Sequence, residues 1–256
     1  MIHELNALYL SRDLQRCRLS RFEDYDFYSG VRDFLQNKSI LTFTDLDGRL
    51  RVLRPDATLS LIRRGRAGKW FYLEKVYRPD QNSHRFTELN QAGVDFLGVL
   101  SDSEISQTIQ LALDSLEILA RGKNFVLDIA DCRQVAKFVN GRSDLLECLQ
   151  KRDIQGLLSL NAPSDLIKLL ENPTLNPENG CVLKFLDNPR VSIDFSVVSN
   201  LKYYNGLVME GYIEGVGSCV LRGGQYDGLL RSLRSPMRSG IGFAIYLDEV
   251  EDFEND

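Results

Sequence analysis

Paired β-rich runs that fold back through polar turns constrain this chain more than any other feature. The stretch ILTFTDLDGRLRVLRPD alternates apolar and polar residues over Ile40–Thr44, breaks at Asp47-Gly48 and resumes over Arg49–Leu53. Gly48 supplies the positive φ that a tight hairpin turn requires. Pro55 ends the second strand, because proline has no N–H to give to a ladder. WFYLEKVYRP (Trp70–Pro79) and NQAGVDFLGV (Asn90–Val99) repeat the arrangement around a long polar tip, DQNSHRFTE. The clearest helix follows over Ser101–Gly122. Ser101 or Ser103 can cap it, Ile105, Ile109, Leu113 and Leu116 give it an apolar stripe, and Gly122 stops it. Strands that return through hairpins, rather than alternating with helices, predict an α+β fold: an antiparallel sheet flanked by helices.

The remaining segments fit that frame. RFEDYDFYSGVRDFL (Arg21–Leu35) runs into a helix, Thr58–Arg64 has helical spacing, and NFVLDIA is a short strand. From about 133 to 179 the pattern changes to short Leu-rich helices separated by Asn, Ser and Pro, which reads as a small helical insertion. Strands are expected to resume in VLKFLDNPRVSIDFSVV and to continue through KYYNGLVMEGYIE and SCVLRGGQYDGLLRSL to GIGFAIYLDEV. There is no internal repeat, so residues 1–256 are expected to form a single domain.

Composition excludes several function classes. At 43% hydrophobic and 26% charged residues the chain reads as an ordinary globular protein. No apolar run reaches membrane-spanning length, and the first twenty residues lack a signal-peptide core, so neither a membrane nor export is expected. The five cysteines are far apart, odd in number and never paired as C-x-x-C, which suggests reduced thiols and a cytoplasmic location. With His3 and His84 as the only histidines, no histidine metal cluster is expected, and no cofactor is called for. A net charge of −5 gives no field to attract a polyanion, so no nucleic-acid partner is expected. The basic stretch IRRGRAGKW (Ile62–Trp70) reads as a solvated face.

The last β-rich segment raises the functional question. In GIGFAIYLDEV, Gly240, Gly242 and Ala244 leave room for close approach of backbone or ligand, yet the segment ends on Asp248 and Glu249, which would repel a phosphate. Four stretches in fixed order carry a resemblance: LRPDAT, EKVYRPDQNSHRFTELNQAGVD, KYYNGLVME with GGQYDGL, and GFAIYLDEV. Together they resemble the catalytic domain of histidyl-tRNA synthetase, a class II aminoacyl-tRNA synthetase. They are still more similar to its non-catalytic paralogue, the regulatory subunit of ATP phosphoribosyltransferase.

The resemblance implies a class II synthetase-like fold with a pocket for free histidine. It places Asp56 and Thr58 at the Glu and Thr of R-P-E-G-T, and Gln91 and Asp95 on the strand after the motif-two loop. Lys75 falls at the first arginine of F-R-x-E-R-P, and Tyr204 and Tyr226 at the aromatics that close over the imidazole. Each also has a plainer reading: Asp56 can cap a helix, Thr58 can fill the turn, and the tyrosines can be core aromatics. The departures are telling. Ser199 stands where the synthetases carry the arginine of R-G-L-D-Y-Y, and Lys202 where they carry the acid. Glu249 replaces the ATP-holding arginine of G-L-E-R-L, and Tyr246 its glycine. A carboxylate beside a triphosphate is strongly unfavourable at low dielectric, so the ATP site is expected to be lost and adenylation with it.

The implied role is therefore regulatory. The chain is expected to dimerise through the motif-one region, where Ser20 replaces a proline and Glu23 is retained, and to assemble with the short-form catalytic subunit. It would activate that subunit and carry L-histidine feedback in the first step of histidine biosynthesis. No anticodon-binding domain is expected. A truncated histidine-activating ligase and a ligand-free scaffold remain the alternatives.

Overall fold

The computed structural model describes residues 1–35, 39–80, 83–176, 180–199 and 201–250. The chain opens with α1 (Ile2–Ser11), β1 (Gln15–Arg16), β2 (Phe22–Asp24), α2 (Tyr25–Ser29), β3 (Thr42–Thr44), β4 (Leu50–Leu53) and α3 (Ala57–Arg63). The long strands β5 (Gly68–Pro79) and β6 (Phe86–Gly98) lead to α4 (Asp102–Ala120) and β7 (Phe125–Asp131). Helices α5 (Cys132–Val139), α6 (Ser143–Gln150), α7 (Ile154–Ser159), α8 (Ser164–Glu171) and α9 (Gly180–Leu183) come next. The chain then returns through β8 (Val191–Ile193), β9 (Leu207–Ile213), β10 (Leu221–Gln225), α10 (Asp227–Ser232) and β11 (Ser239–Tyr246).

Among the described residues, eight strands form one sheet in the order β1-β5-β6-β11-β10-β9-β7-β8, and β2-β4-β3 form a second, smaller one. The expected antiparallel pairing holds through the centre of the large sheet, whereas its outermost pairs, β1 with β5 and β7 with β8, are parallel. Edge strands of two and three residues contribute little pairing of their own, so their direction is set by the packing of the segments that carry them. The β3–β4 hairpin turns as expected, with Gly48 at φ +79°. The second hairpin departs from expectation at its tip. The ladder continues to Pro79 opposite Phe86, so Phe86–Leu89 are strand; residues 81 and 82 of that tip lie outside the described residues.

Ser101 caps α4 in a reciprocal capping box with Glu104. The stretch expected as helical from 133 to 179 holds α5–α8, and its end at 177–179 lies outside the described residues. VLKFL, expected as a strand, instead enters α9 and a turn, because a short apolar run suits a buried helix as well as a strand.

Residues two apart on a strand share a face, and the register divides the large sheet accordingly. Phe71, Ala92, Val94, Phe96, Ile241 and Phe243 turn to the core formed with α1 and α4. On the opposite face Tyr72, Gly93 and Ala244 lie in one row, with Gln91 and Tyr246 beside them and Asp95 and Gly242 on the other side. That face packs on a second cluster from α2, α3 and α10, including Tyr28, Leu59 and Leu229. A cavity lies between them.

Candidate functional site

The cavity offers about 60 Å³ to the centres of water-sized groups, room for several waters or a small ligand that displaces them. Its floor is the sheet face just described, and its walls come from the turn before α3, the paired tyrosines before β9 and Tyr226, the N-cap residue of α10.

Asp95 is its most constrained member. It is 1% exposed, Tyr226 donates to its Oδ1 at 2.5 Å, and Thr58 donates to its Oδ2 at 3.3 Å. Burial pushes its carboxyl up to about 8 against the pull of the Tyr226 and Thr58 hydrogen bonds, and nearby Asp56 pushes the same way. The glycines singled out in GIGFAIYLDEV explain how so large a group is seated. A Cβ on Gly242 would lie 2.4 Å from Asp95 Oδ1, and one on Gly240 2.3 Å from the Tyr226 ring. The close approach these glycines permit is thus made by the protein's own side chains.

Asp56 takes the capping role weighed for it and also stands at the cavity. Its Oδ1 accepts from Leu59 N at 2.9 Å and so caps α3, while Oδ2 accepts from Arg78 Nη2 at 3.1 Å at the cavity wall. Arg78 Nε also donates to Pro55 O at 2.8 Å, which fixes the turn carrying Asp56. Tyr204 meets Tyr203 at 4.8 Å between ring centroids with the rings tilted by 60°, and Tyr203 meets Tyr226 at 6.1 Å, so three aromatics form one continuous wall. Gln91 is 2% exposed, and its Nε2 has no hydrogen-bond partner among the described residues. A buried unpaired amide of this kind is costly unless a water or ligand completes it.

Asp56, Thr58, Gln91, Asp95, Tyr204 and Tyr226 all line this cavity. Lys75 does not. Strand alternation turns it to the face opposite Tyr72 and Glu74, where its ammonium pairs with Glu88. Ser199 lines the cavity, so the position of the missing arginine does face the site. Glu249 does not line it; its carboxylate accepts from Ser218, and the neighbouring Asp248 accepts from Asn90 N and Nδ2 at 2.6 and 2.7 Å. Sequence reasoning missed Arg222 and Tyr72 as wall residues. The alternation of β5 could have placed Tyr72; nothing in the local sequence marks Arg222.

Gly93 is the position at which this wall is most exposed to a small change. A Cβ there would sit 2.1 Å from Tyr72 Cζ, so Gly93→Ala must push the buried Tyr72 ring aside. It should cost about 1–3 kcal/mol, read as a lower denaturant midpoint in urea unfolding. A midpoint equal to that of the parent chain would show that the ring has room to move.

Among the described residues, no group of three His, Cys, Asp or Glu is placed to hold a metal ion, and no helix is long and apolar enough to cross a membrane. The cavity's chemistry is that of two carboxylates, an amide, two arginines and an aromatic wall, a set suited to a small zwitterion with a titratable ring.

The ATP phosphoribosyltransferase regulatory subunit of Lactococcus lactis subsp. cremoris strain SK11 is 26% identical over 291 residues, covering 98% of this chain and 90% of that protein. The histidine–tRNA ligase of Pyrobaculum calidifontis is 28% identical over 254 residues, covering 82% of this chain and 60% of that protein. Among solved structures, an ATP phosphoribosyltransferase regulatory subunit/histidyl-tRNA synthetase from Bacillus halodurans superposes with a TM-score of 0.78 at 23% identity, covering 96% of this chain and 76% of that one. A chain of the ATP phosphoribosyl transferase complex from Thermotoga maritima gives 0.74 at 15% identity, covering 96% and 95%. The family model described as histidyl-tRNA synthetase matches residues 15–188 and 181–250, and the chain belongs to that family.

Proposed function

We propose that this chain is a regulatory subunit of ATP phosphoribosyltransferase, which activates the short catalytic subunit and carries feedback by L-histidine without adenylating histidine itself. The observation that carries this reading is one cavity holding Asp56, Asp95, an unpaired Gln91 amide and three linked tyrosines, with Ser199 where the synthetases need an arginine. Such a wall retains what recognises the ammonium and ring of histidine and lacks a group that activation requires. The regulatory subunits among the relatives support the same reading.

In this reading the chain acts in the cytoplasm as one synthetase-like domain, with α5–α8 as an insertion. It pairs with itself through the region around Glu23 and with the catalytic subunit as a hetero-oligomer. Feedback then requires that histidine bind the inhibited assembly more tightly than the active one, by a coupling of about 1–3 kcal/mol.

The test is phosphoribosyl-ATP formation by a short catalytic subunit with this chain titrated in, with and without L-histidine. Activation reversed by histidine is the expected result. Absence of activation by folded protein beside a competent partner would overturn the reading, and ATP–pyrophosphate exchange with histidine would then establish the ligase alternative.

A further inference from the structure

We infer that Arg222 receives the carboxylate of the amino acid bound in the cavity. The inference rests on the reading that this cavity takes free histidine.

Among the described residues, two cationic side chains line the cavity, Arg78 and Arg222. Arg78 is committed to its own wall, through Pro55 O and the Asp56 carboxylate. Arg222 is held differently. Its partner across the ladder is Ala244, a cavity-lining residue, so its side chain shares the face of Tyr72, Gln91 and Asp95. Nε donates to Glu210 Oε1 at 2.7 Å, and Tyr212 donates to the other oxygen of Glu210 at 2.6 Å. Glu210 is 5% exposed, so this anchor is rigid. The guanidinium is fixed by its Nε edge, while neither terminal nitrogen is bonded to a described residue. Two parallel N–H donors of this kind are the geometry that accepts a carboxylate in bidentate fashion.

The rest of the cavity agrees on polarity. Asp56 and Asp95 supply negative charge or acceptors on one side, and Arg222 supplies donors on another. The unpaired Nε2 of Gln91 is a second donor directed at the same space, and it too lacks an acceptor among the described residues. An α-amino acid has the matching dipole, whereas an amine without a carboxylate would leave Arg222 unanswered. Ser199, which also lines the cavity, has no charge to offer a carboxylate.

The experiment compares L-histidine with histamine, which keeps the ring and the ammonium but has no carboxylate. Calorimetric titrations are made on the full chain, alone and assembled with the catalytic subunit, for the parent, for Arg222→Gln and for Arg222→Gln with Glu210→Gln. The double variant removes both charges, so the fold is not left with an unpaired buried carboxylate. The expected result in both variants is a fall in L-histidine affinity on the order of 10- to 100-fold, with histamine affinity unchanged. The preference for histidine over histamine therefore disappears. Unchanged histidine affinity, or an equal loss for both ligands, would make Arg222 a structural partner of Glu210 and overturn the inference while leaving the histidine reading intact. If the parent chain binds no histidine, alone or assembled, the reading of the cavity falls and the inference falls with it.

Discussion

Arg54→Met should cost about 3–5 kcal/mol of stability, the range expected when one member of a buried ion pair is removed. Arg54 is 0% exposed, and every edge of its guanidinium is used. Nη2 donates to Glu74 Oε2 at 2.9 Å and to Lys75 O at 2.6 Å, Nη1 to Ser20 O at 2.9 Å, and Nε to Lys75 O at 3.1 Å. Its backbone also bonds to Arg21 O and Tyr77 N, so it sits where the small β2-β4-β3 sheet meets β5 of the large one. Methionine fills similar volume but takes Arg54's donors away from the Glu74 carboxylate and from the carbonyls of Ser20 and Lys75. The carboxylate is the dominant loss, since Leu19 N at 3.0 Å is its remaining hydrogen-bond partner among the described residues. Changing Glu74 to Gln as well should therefore recover part of the stability, a non-additivity expected of residues in direct contact. Urea unfolding at pH 7 reads both effects. A loss under about 1 kcal/mol in the single variant would show that water reaches Glu74 freely. Only Pro55 separates Arg54 from Asp56, so under the proposed function histidine binding should weaken in step with the fold.

Arg54 also shows where sequence reasoning stopped. LRPDAT was legible as a motif, and Asp56 and Thr58 do line the cavity, but an arginine beside a proline carries no sign that it will be fully buried. Strong alternation placed β5 and β6 because the apolar residues of one face must meet α4. It failed at Phe86–Leu89, whose polar neighbours resemble a loop although the ladder pairs them. Lys75 and Arg222 illustrate the same limit at the site. Which face a strand residue occupies depends on register across the sheet, and a resemblance aligned along the chain does not carry that information. The glycines of GIGFAIYLDEV were legible as points of close approach; that Asp95 and Tyr226 make the approach follows from the pairing of β11 with β6 and from the turn into α10.

Asp95→Asn should make the protein more stable at pH 8 and, under the proposed function, a much weaker binder of histidine. In the folded chain burial holds this carboxyl at about 8, with the Asp56 charge adding to the shift, whereas in the unfolded chain it titrates near 4. Between those values the folded state keeps a proton that the unfolded state has lost. The contribution of Asp95 to stability is therefore complete below about pH 4 and lost progressively as pH rises to about 8. Asparagine cannot ionise and has no such slope. It can still accept the Tyr226 hydroxyl and donate to Thr58 Oγ1, the groups that hold Asp95 now. The two proteins should thus melt together near pH 4 and diverge with rising pH, to a gap of about 2–4 kcal/mol at pH 8, or roughly 5–10 °C in melting temperature. Over the same range L-histidine affinity should fall by an order of magnitude or more, because the variant has no carboxylate to ionise opposite the ring or ammonium. Thermal melts from pH 4 to 8 with and without histidine separate the two effects. A stability gap independent of pH would mean that Asp95 does not change protonation on unfolding. A gap that opens with pH would make it a group kept at a cost in stability for what it binds.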